Sequence, residues 1–167
     1  MKLPRRRIRC KRNINISEEV ITVKKFFATL ICGAVLFVAS LAMAAVEPGK
    51  VIVGGVFPGM SVSQLTSNFG QPQYRDGDDW VYQNFHVDIE YGVVEKVTTY
   101  SNAMPTPEGV RVGQSADVLN RAYGSADFVD YDDGGVEYEY YSTDHTKKIE
   151  FKVYNGVISQ ITCKFRD

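Results

Sequence analysis

Gly55-Val56-Phe57-Pro58-Gly59-Met60-Ser61 and, 54 residues further on, Gly109-Val110-Arg111-Val112-Gly113-Gln114-Ser115 are two versions of one stretch, and the expected fold follows from reading them together. At the same offset Leu65, Phe69 and Gly70 answer to Leu119, Tyr123 and Gly124. After a short length difference Trp80-Val81-Tyr82 corresponds to Tyr138-Glu139-Tyr140. After another, Gly92-Val93-Val94 and Val97-Thr98 correspond to Gly156-Val157-Ile158 and Ile161-Thr162. An unchanged order of features with variable hairpin lengths reads as an internal duplication. The expectation is repeat 1 over residues 45–101, a linker over 102–106 and repeat 2 over 107–167.

Each unit opens with a short helix. Ser61 is a good N-cap with Gln64 three residues on, a capping-box pattern, and Gly70 sits where a left-handed C-cap belongs. Val62, Leu65 and Phe69 share one face, as do Ala116, Leu119 and Tyr123. Helices this short need something to pack on. Phe85, Val87, Ile89 and Tyr91 alternate with His86, Asp88 and Glu90, as a half-buried strand does. Val136, Tyr138 and Tyr140 alternate with glutamates, Ile149, Phe151 and Val153 with Glu150 and Lys152, and residues 157–165 continue the pattern with Ser159, Ile161 and Cys163. Asp76-Gly77, Tyr91-Gly92, Asp133-Gly134-Gly135 and Asn155-Gly156 supply hairpin turns. The predicted class is α+β, with two tandem repeats, each a short helix packed on a three-stranded antiparallel meander, after an N-terminal signal or anchor helix.

Working outward to the N-terminus, the charge divides. Residues 1–44 hold 9 Lys/Arg and 2 Asp/Glu, whereas residues 45–167 hold 10 Lys/Arg and 18 Asp/Glu. An acidic body repels phosphate backbones, which argues against nucleic acid as a partner. Phe26 to Val46 runs without a charge, follows Lys24-Lys25 and contains Ala42-Met43-Ala44, the build of a secretory signal over residues 23–44. Two outcomes are open: cleavage between Ala44 and Ala45, or an uncleaved anchor in the inner membrane through residues 26–46, a run long enough to span a bilayer. Residues 1–22 form a basic extension too long for an ordinary signal start. Val23-Lys24-Lys25-Phe26 reads as a more natural beginning, from a non-AUG codon.

Of Cys10, Cys32 and Cys163 only the last lies in the expected mature domain, which therefore forms no internal disulfide. Cys163 alternates with Ile161 and Phe165 and reads as a buried thiol. Cys32 sits inside the apolar run behind Ile31, a poor lipidation site. His86 and His145 fall on a polar strand face and in a polar turn, without a nucleophile elbow, zinc spacing or phosphate loop around them. No cofactor is expected. Asp130, Asp132 and Asp133 faintly resemble a calcium loop, but Tyr141 stands where the closing Glu belongs, and Asp before Gly is ordinary turn chemistry.

Gly59-Met60-Ser61, Gln64-Leu65, Phe69-Gly70, Pro72, Asp79-Trp80 and Tyr82 together resemble the SmpA/OmlA outer-membrane lipoprotein domain, which belongs with the β-lactamase-inhibitor-protein-like fold. The resemblance covers residues 52–100 and, more faintly, 107–165. It implies tandem helix-plus-sheet modules and non-enzymatic protein contact at the cell envelope. The chain departs from that family in having no lipidation cysteine after the signal, and the first helix of the family's helical pair is not evident.

The functional expectation is an exported, periplasmic or extracellular, non-enzymatic protein-binding or inhibitor-like module. Tyr100, Tyr141 and Tyr154, opposite the apolar set, are the candidate contact residues, since tyrosine offers area and a polar handle at low entropy cost. The acidic charge points to a basic envelope or extracellular protein as partner. The alternatives are a solute- or cell-wall-binding domain, which calls for exposed aromatics lining a groove, and an unrecognised hydrolase, which calls for clustered polar groups in a pocket.

Overall fold

Six hairpins organise the described residues, three in each half. Tyr91-Gly92 and Asn155-Gly156 both have positive φ at their two central residues, the pairing that matches a tight turn to the right-handed twist of its strands. A computed structural model describes residues 45–132 and 134–166, with Asp132 described at its backbone only. Eight strands result: β1 Tyr74–Asp76, β2 Asp79–Val81, β3 His86–Glu90, β4 Val93–Thr99, β5 Phe128–Asp132, β6 Gly135–Tyr141, β7 Lys147–Tyr154 and β8 Val157–Phe165. Two α-helices accompany them among the described residues, α1 Val62–Phe69 and α2 Asp117–Tyr123.

All eight strands join one antiparallel sheet in the order β1-β2-β3-β4-β8-β7-β6-β5. This overturns the expectation of two tandem modules, each a helix on its own three-stranded meander. The halves are folded back on each other, and β4 pairs β8 through Lys96↔Lys164, Val97↔Cys163, Thr98↔Thr162 and Thr99↔Ile161. The physical reason is the edge: a separate meander would leave β4 and β8 each with a row of unpaired backbone groups. Each half also carries a fourth strand. β1 is three residues long and exposed throughout, so it has no apolar alternation to announce it, and β5 ends among aspartates that read as turn.

Residues 102–106 connect the two halves: Asn102 and Ala103 are exposed, Met104 and Thr106 are buried, and Gly54 N–H donates to the Pro105 carbonyl at 2.8 Å.

Both helices lie with the apolar face of the sheet. Leu65, Leu119 and Tyr123 are buried in one cluster with Val87, Val94, Val97, Ile149, Phe151, Ile158, Ile161 and Cys163. Around Phe85 the ring of Tyr82 stacks at 4.5 Å and that of Phe69 meets it edge-on at 5.2 Å. In the other half Tyr123, Tyr140 and Phe151 form a triad with centroids 5.1–5.8 Å apart. Backbone bonds tie the segment before each helix to the sheet: Gly59 N–H to Val94 O and Gly113 N–H to Ile158 O, both 2.8 Å. Ser61 closes a complete capping box with Gln64. At α2 the cap position falls on Ala116, which has no side-chain cap.

Alternation is interrupted once in each half. The β3–β4 register skips Glu95 and the β7–β8 register skips Ser159, a β-bulge that bends the strand locally. The second bulge corrects the alternation read for residues 157–165: Ile158 is fully buried and Val157 is 42% exposed. Gly135 is required where it stands, because a Cβ there would collide with the Val153 carbonyl oxygen.

Among the described residues no helix is long and apolar enough to cross a membrane. The signal or anchor expected at 23–44 and the extension at 1–22 lie outside the described residues. Ala45 is the first described residue, and Val46 is already buried, donating to Tyr141 O at 3.2 Å.

Candidate binding groove

Residues directly opposite across a ladder share a face, so the registers decide what stands on the side of the sheet away from the helices. Along that side run Asp79, Asp88, Lys96, Lys164 and Lys148 in one row and Val81, His86, Thr98, Thr162, Glu150 and Glu139 in the next. The seam passes through the centre. Thr98 Oγ1 and Thr162 Oγ1 are 3.3 Å apart, and Gln160 Nε2 donates to Thr162 Oγ1 at 3.0 Å. These hydroxyls are nearly buried, and their mutual bonds fix them as a polar floor.

A groove of about 560 Å³ lies over this floor. Its first-half wall holds Tyr74, Asp79, His86, Asp88 and Tyr100, and across the seam stand Gln160, Thr162 and Lys164. A second depression of about 570 Å³ adjoins it, lined by Gln83, Asn84, Ser101 and Asn102 and sharing His86 and Tyr100. The two shared rings meet edge-on at 6.2 Å. Asn84 is held by its neighbours: its carbonyl accepts from Thr99 Oγ1 at 2.6 Å and its Oδ1 from Ser101 Oγ at 3.3 Å.

The charges differ on the two sides of the seam. Asp79 hydrogen-bonds the Asp88 carboxylate, and this contact, followed by the repulsion between the two charges, raises the Asp79 pKa above the usual aspartate value. Lys96 pairs with Asp88. On the second-half side Glu150 Oε1 receives Lys148 Nζ at 2.7 Å and Lys164 Nζ at 3.0 Å, and Lys148 also reaches Glu139 at 3.1 Å. Burial works against the Lys148 charge, but its hydrogen bonds to Glu150 and Glu139 outweigh it and raise its pKa. Burial, with Glu150 and Glu139 nearby, raises the pKa of Glu137. Carboxylate oxygens of Glu137, Glu139 and Glu150 lie within 4.8 Å of one another, a spacing a metal ion could use. Two ammonium groups already occupy the positive role there.

Of the tyrosines expected to form the contact, only Tyr100 lines the groove. Tyr154 closes β7 opposite Val157, and Tyr141, beside Lys148 at the other end of the strand pair, has the Arg166 guanidinium 4.2 Å above its ring. The structure does not bring the three together. Asp130 sits on β5 and its Oδ1 accepts from Tyr131 N–H at 2.9 Å. Asp132 pairs Gly135 at the hairpin end, and Asp133 lies outside the described residues. Cys163 is a free thiol, fully buried on the helical side, and burial pushes its pKa up. His145 is exposed in its turn, with Nδ1 3.3 Å from Arg166.

Sequence reasoning missed Tyr74, Gln160 and the Thr98–Thr162 floor. Each is a single polar residue in a strand, and only the β4–β8 register, set by pairing across more than sixty residues, places them together.

No family model and no curated protein sequence matches the chain. Among solved structures it is similar to a DUF4309 family protein from Bacillus subtilis, at 12% identity and TM-score 0.47, over 64% of this chain and 78% of that one. It is also similar to an extracellular protein containing an SCP domain from Bacillus anthracis, at 8% identity and TM-score 0.48, over 65% of this chain and 44% of that one. A cysteine-rich secretory protein from Staphylococcus aureus matches at 18% identity and TM-score 0.48, over 72% of this chain and 49% of that one. The matched region thus spans under half the length of the latter two proteins.

Proposed function

We propose that this chain is an exported, non-enzymatic binding module of the bacterial envelope or its surroundings, which takes its partner on the polar face of the sheet across the β4–β8 seam. One observation carries the reading: the two helices occupy the apolar side, while the polar side holds a groove with a fixed hydroxyl floor, exposed aromatic rings and carboxylates. A few polar groups placed by a rigid scaffold are what a recognition site needs. Export rests on the signal-like run from Phe26 to Ala44. The non-enzymatic reading draws on how the reactive groups are placed, with Cys163 buried on the opposite side and His86 set against a tyrosine ring.

Photo-crosslinking in living cells tests the site. A photoreactive residue at position 100 in the groove should give a discrete adduct, and one at Asn120, exposed on α2, should give none. Adducts from position 120 with none from position 100 would move the working surface to the helical side and end the proposal.

A further inference from the structure

We infer that the groove over the Thr98–Thr162 seam is a carbohydrate site, which takes an uncharged or amino-bearing glycan chain; this deepens the reading above and rests on it.

The lining excludes anions. Asp76, Asp79, Asp88 and Glu150 face the groove against two cations, Lys96 and Lys164, and both are already paired, with Asp88 and Glu150. A phosphate or carboxylate ligand would meet a net negative wall without a lysine to spare. Hydroxyl groups fit better. Asp79 accepts or shares a proton, and the Thr98, Thr162 and Gln160 side chains are held by one another at 3.0–3.3 Å. A site made of such fixed polar groups discriminates strongly for ligands whose hydroxyls pair with them.

The aromatic component fits as well. Tyr74 and Tyr100 are each 60% exposed although they line a groove, so each offers ring area and a phenol to a ligand with both apolar and polar faces. A sugar ring has that character: C–H groups on one face and hydroxyls around its rim. The adjoining depression, reached past His86 and Tyr100 and walled by Gln83, Asn84 and Asn102, extends the path beyond one sugar unit with more amide donors and acceptors.

A peptide is the rival ligand, and the position in the sheet argues against it. Extended peptides gain affinity from main-chain hydrogen bonds at a sheet edge. Here the floor is formed by β4 and β8, the two central strands, each paired on both sides, so no ladder groups are offered. Only side chains reach the ligand, which suits a glycan.

The test uses the isotope-labelled, exported protein purified from growing cells, titrated with a β-1,4-linked tetramer of N-acetylglucosamine and followed by backbone amide shifts. Saturable shifts at Thr98, Tyr100, Gln160 and Thr162 are expected. Tyr100→Ala and, independently, Tyr74→Ala should each weaken binding at least tenfold with the amide spectrum otherwise kept. Tyr91→Ala, in the β3–β4 turn outside the groove, should leave affinity within twofold. No saturable shift up to roughly 10 mM sugar, a limit weaker than any useful site, overturns the glycan proposal. If a lysine-rich peptide shifts the same amides while the sugar does not, the glycan proposal falls and the groove stands. If neither ligand moves them, both fall.

Discussion

The two halves of the sheet share a backbone plan and differ in what their polar faces do. In each, a helix follows a glycine-rich approach, four strands follow the helix, and a bulge interrupts the last pair. The first half spends short strands of three, three, five and seven residues and leaves Tyr74, His86 and Tyr100 open to solvent. The second uses five, seven, eight and nine and locks its polar face into the Lys148–Glu139–Glu150–Lys164 network. The lesson is a division of labour: longer ladders and a dense charge network make the second half a support, against which the first half displays rings open to solvent.

The largest test of that division is on the helical side, where the halves should behave alike. Leu65→Ala and Leu119→Ala each remove a buried anchor and should cost about 2–5 kcal/mol, read from urea unfolding midpoints. A biphasic transition in Leu65→Ala, with the second half melting later, would break the sheet into two cooperative units. On the polar side the halves should diverge. Lys148→Met removes the ammonium that bridges Glu139 and Glu150, leaving Lys164 paired with Glu150 alone, and should cost about 3 kcal/mol. Lys96→Met removes a half-exposed pair with Asp88 and should cost under about 1 kcal/mol. Equal losses would mean the second-half network is not a support.

The caps sharpen the same contrast. Ser61→Ala breaks a full capping box and should cost about 1 kcal/mol. Ser115→Ala should cost only a few tenths, since its hydroxyl reaches Asp117 N–H at a long 3.4 Å. Thermal melting of the two variants measures the difference, and a larger effect at Ser115 would reverse it. The smallest effect is a titration. Because the Asp79 pKa is raised in the folded state, the fold binds that proton more tightly than the unfolded chain does. The group therefore favours the fold below the ordinary aspartate pKa, and that contribution fades as pH rises through the raised value. Carboxyl NMR shifts should place Asp79 above the usual range and Asp88→Asn should bring it back; an unchanged titration in the variant would assign the shift to another cause.

Local chemistry was legible in the sequence wherever a residue acts on near neighbours. Ser61 and Gln64 announced their cap, Tyr91-Gly92 and Asn155-Gly156 their turns, and the alternation of Ile149, Phe151 and Val153 its buried face. What stayed hidden depends on distant pairing. Period-two patterns say which side of a strand is apolar but not which strand lies beside it, so the joining of β4 to β8, and with it the single sheet, was unreadable. The same gap scattered the tyrosine prediction. Tyr100, Tyr141 and Tyr154 do fall on polar-face positions, yet five residues of β7 lie between Lys148, the partner of Tyr141, and Tyr154, roughly 20 Å at the rise of a strand.

The seam also sets an order of events. β8 follows the other seven described strands in sequence and occupies an inner position in the sheet, beside β4. While synthesis proceeds from the N-terminus, the first four strands can form hairpins, but β4 waits as a bare edge until β8 arrives. Such an edge invites pairing with any other chain, and pairings so distant in sequence form slowly. The newly made first half is thus an unfinished sheet with its stickiest strand exposed, in need of shelter from aggregation until its own C-terminal strand covers it.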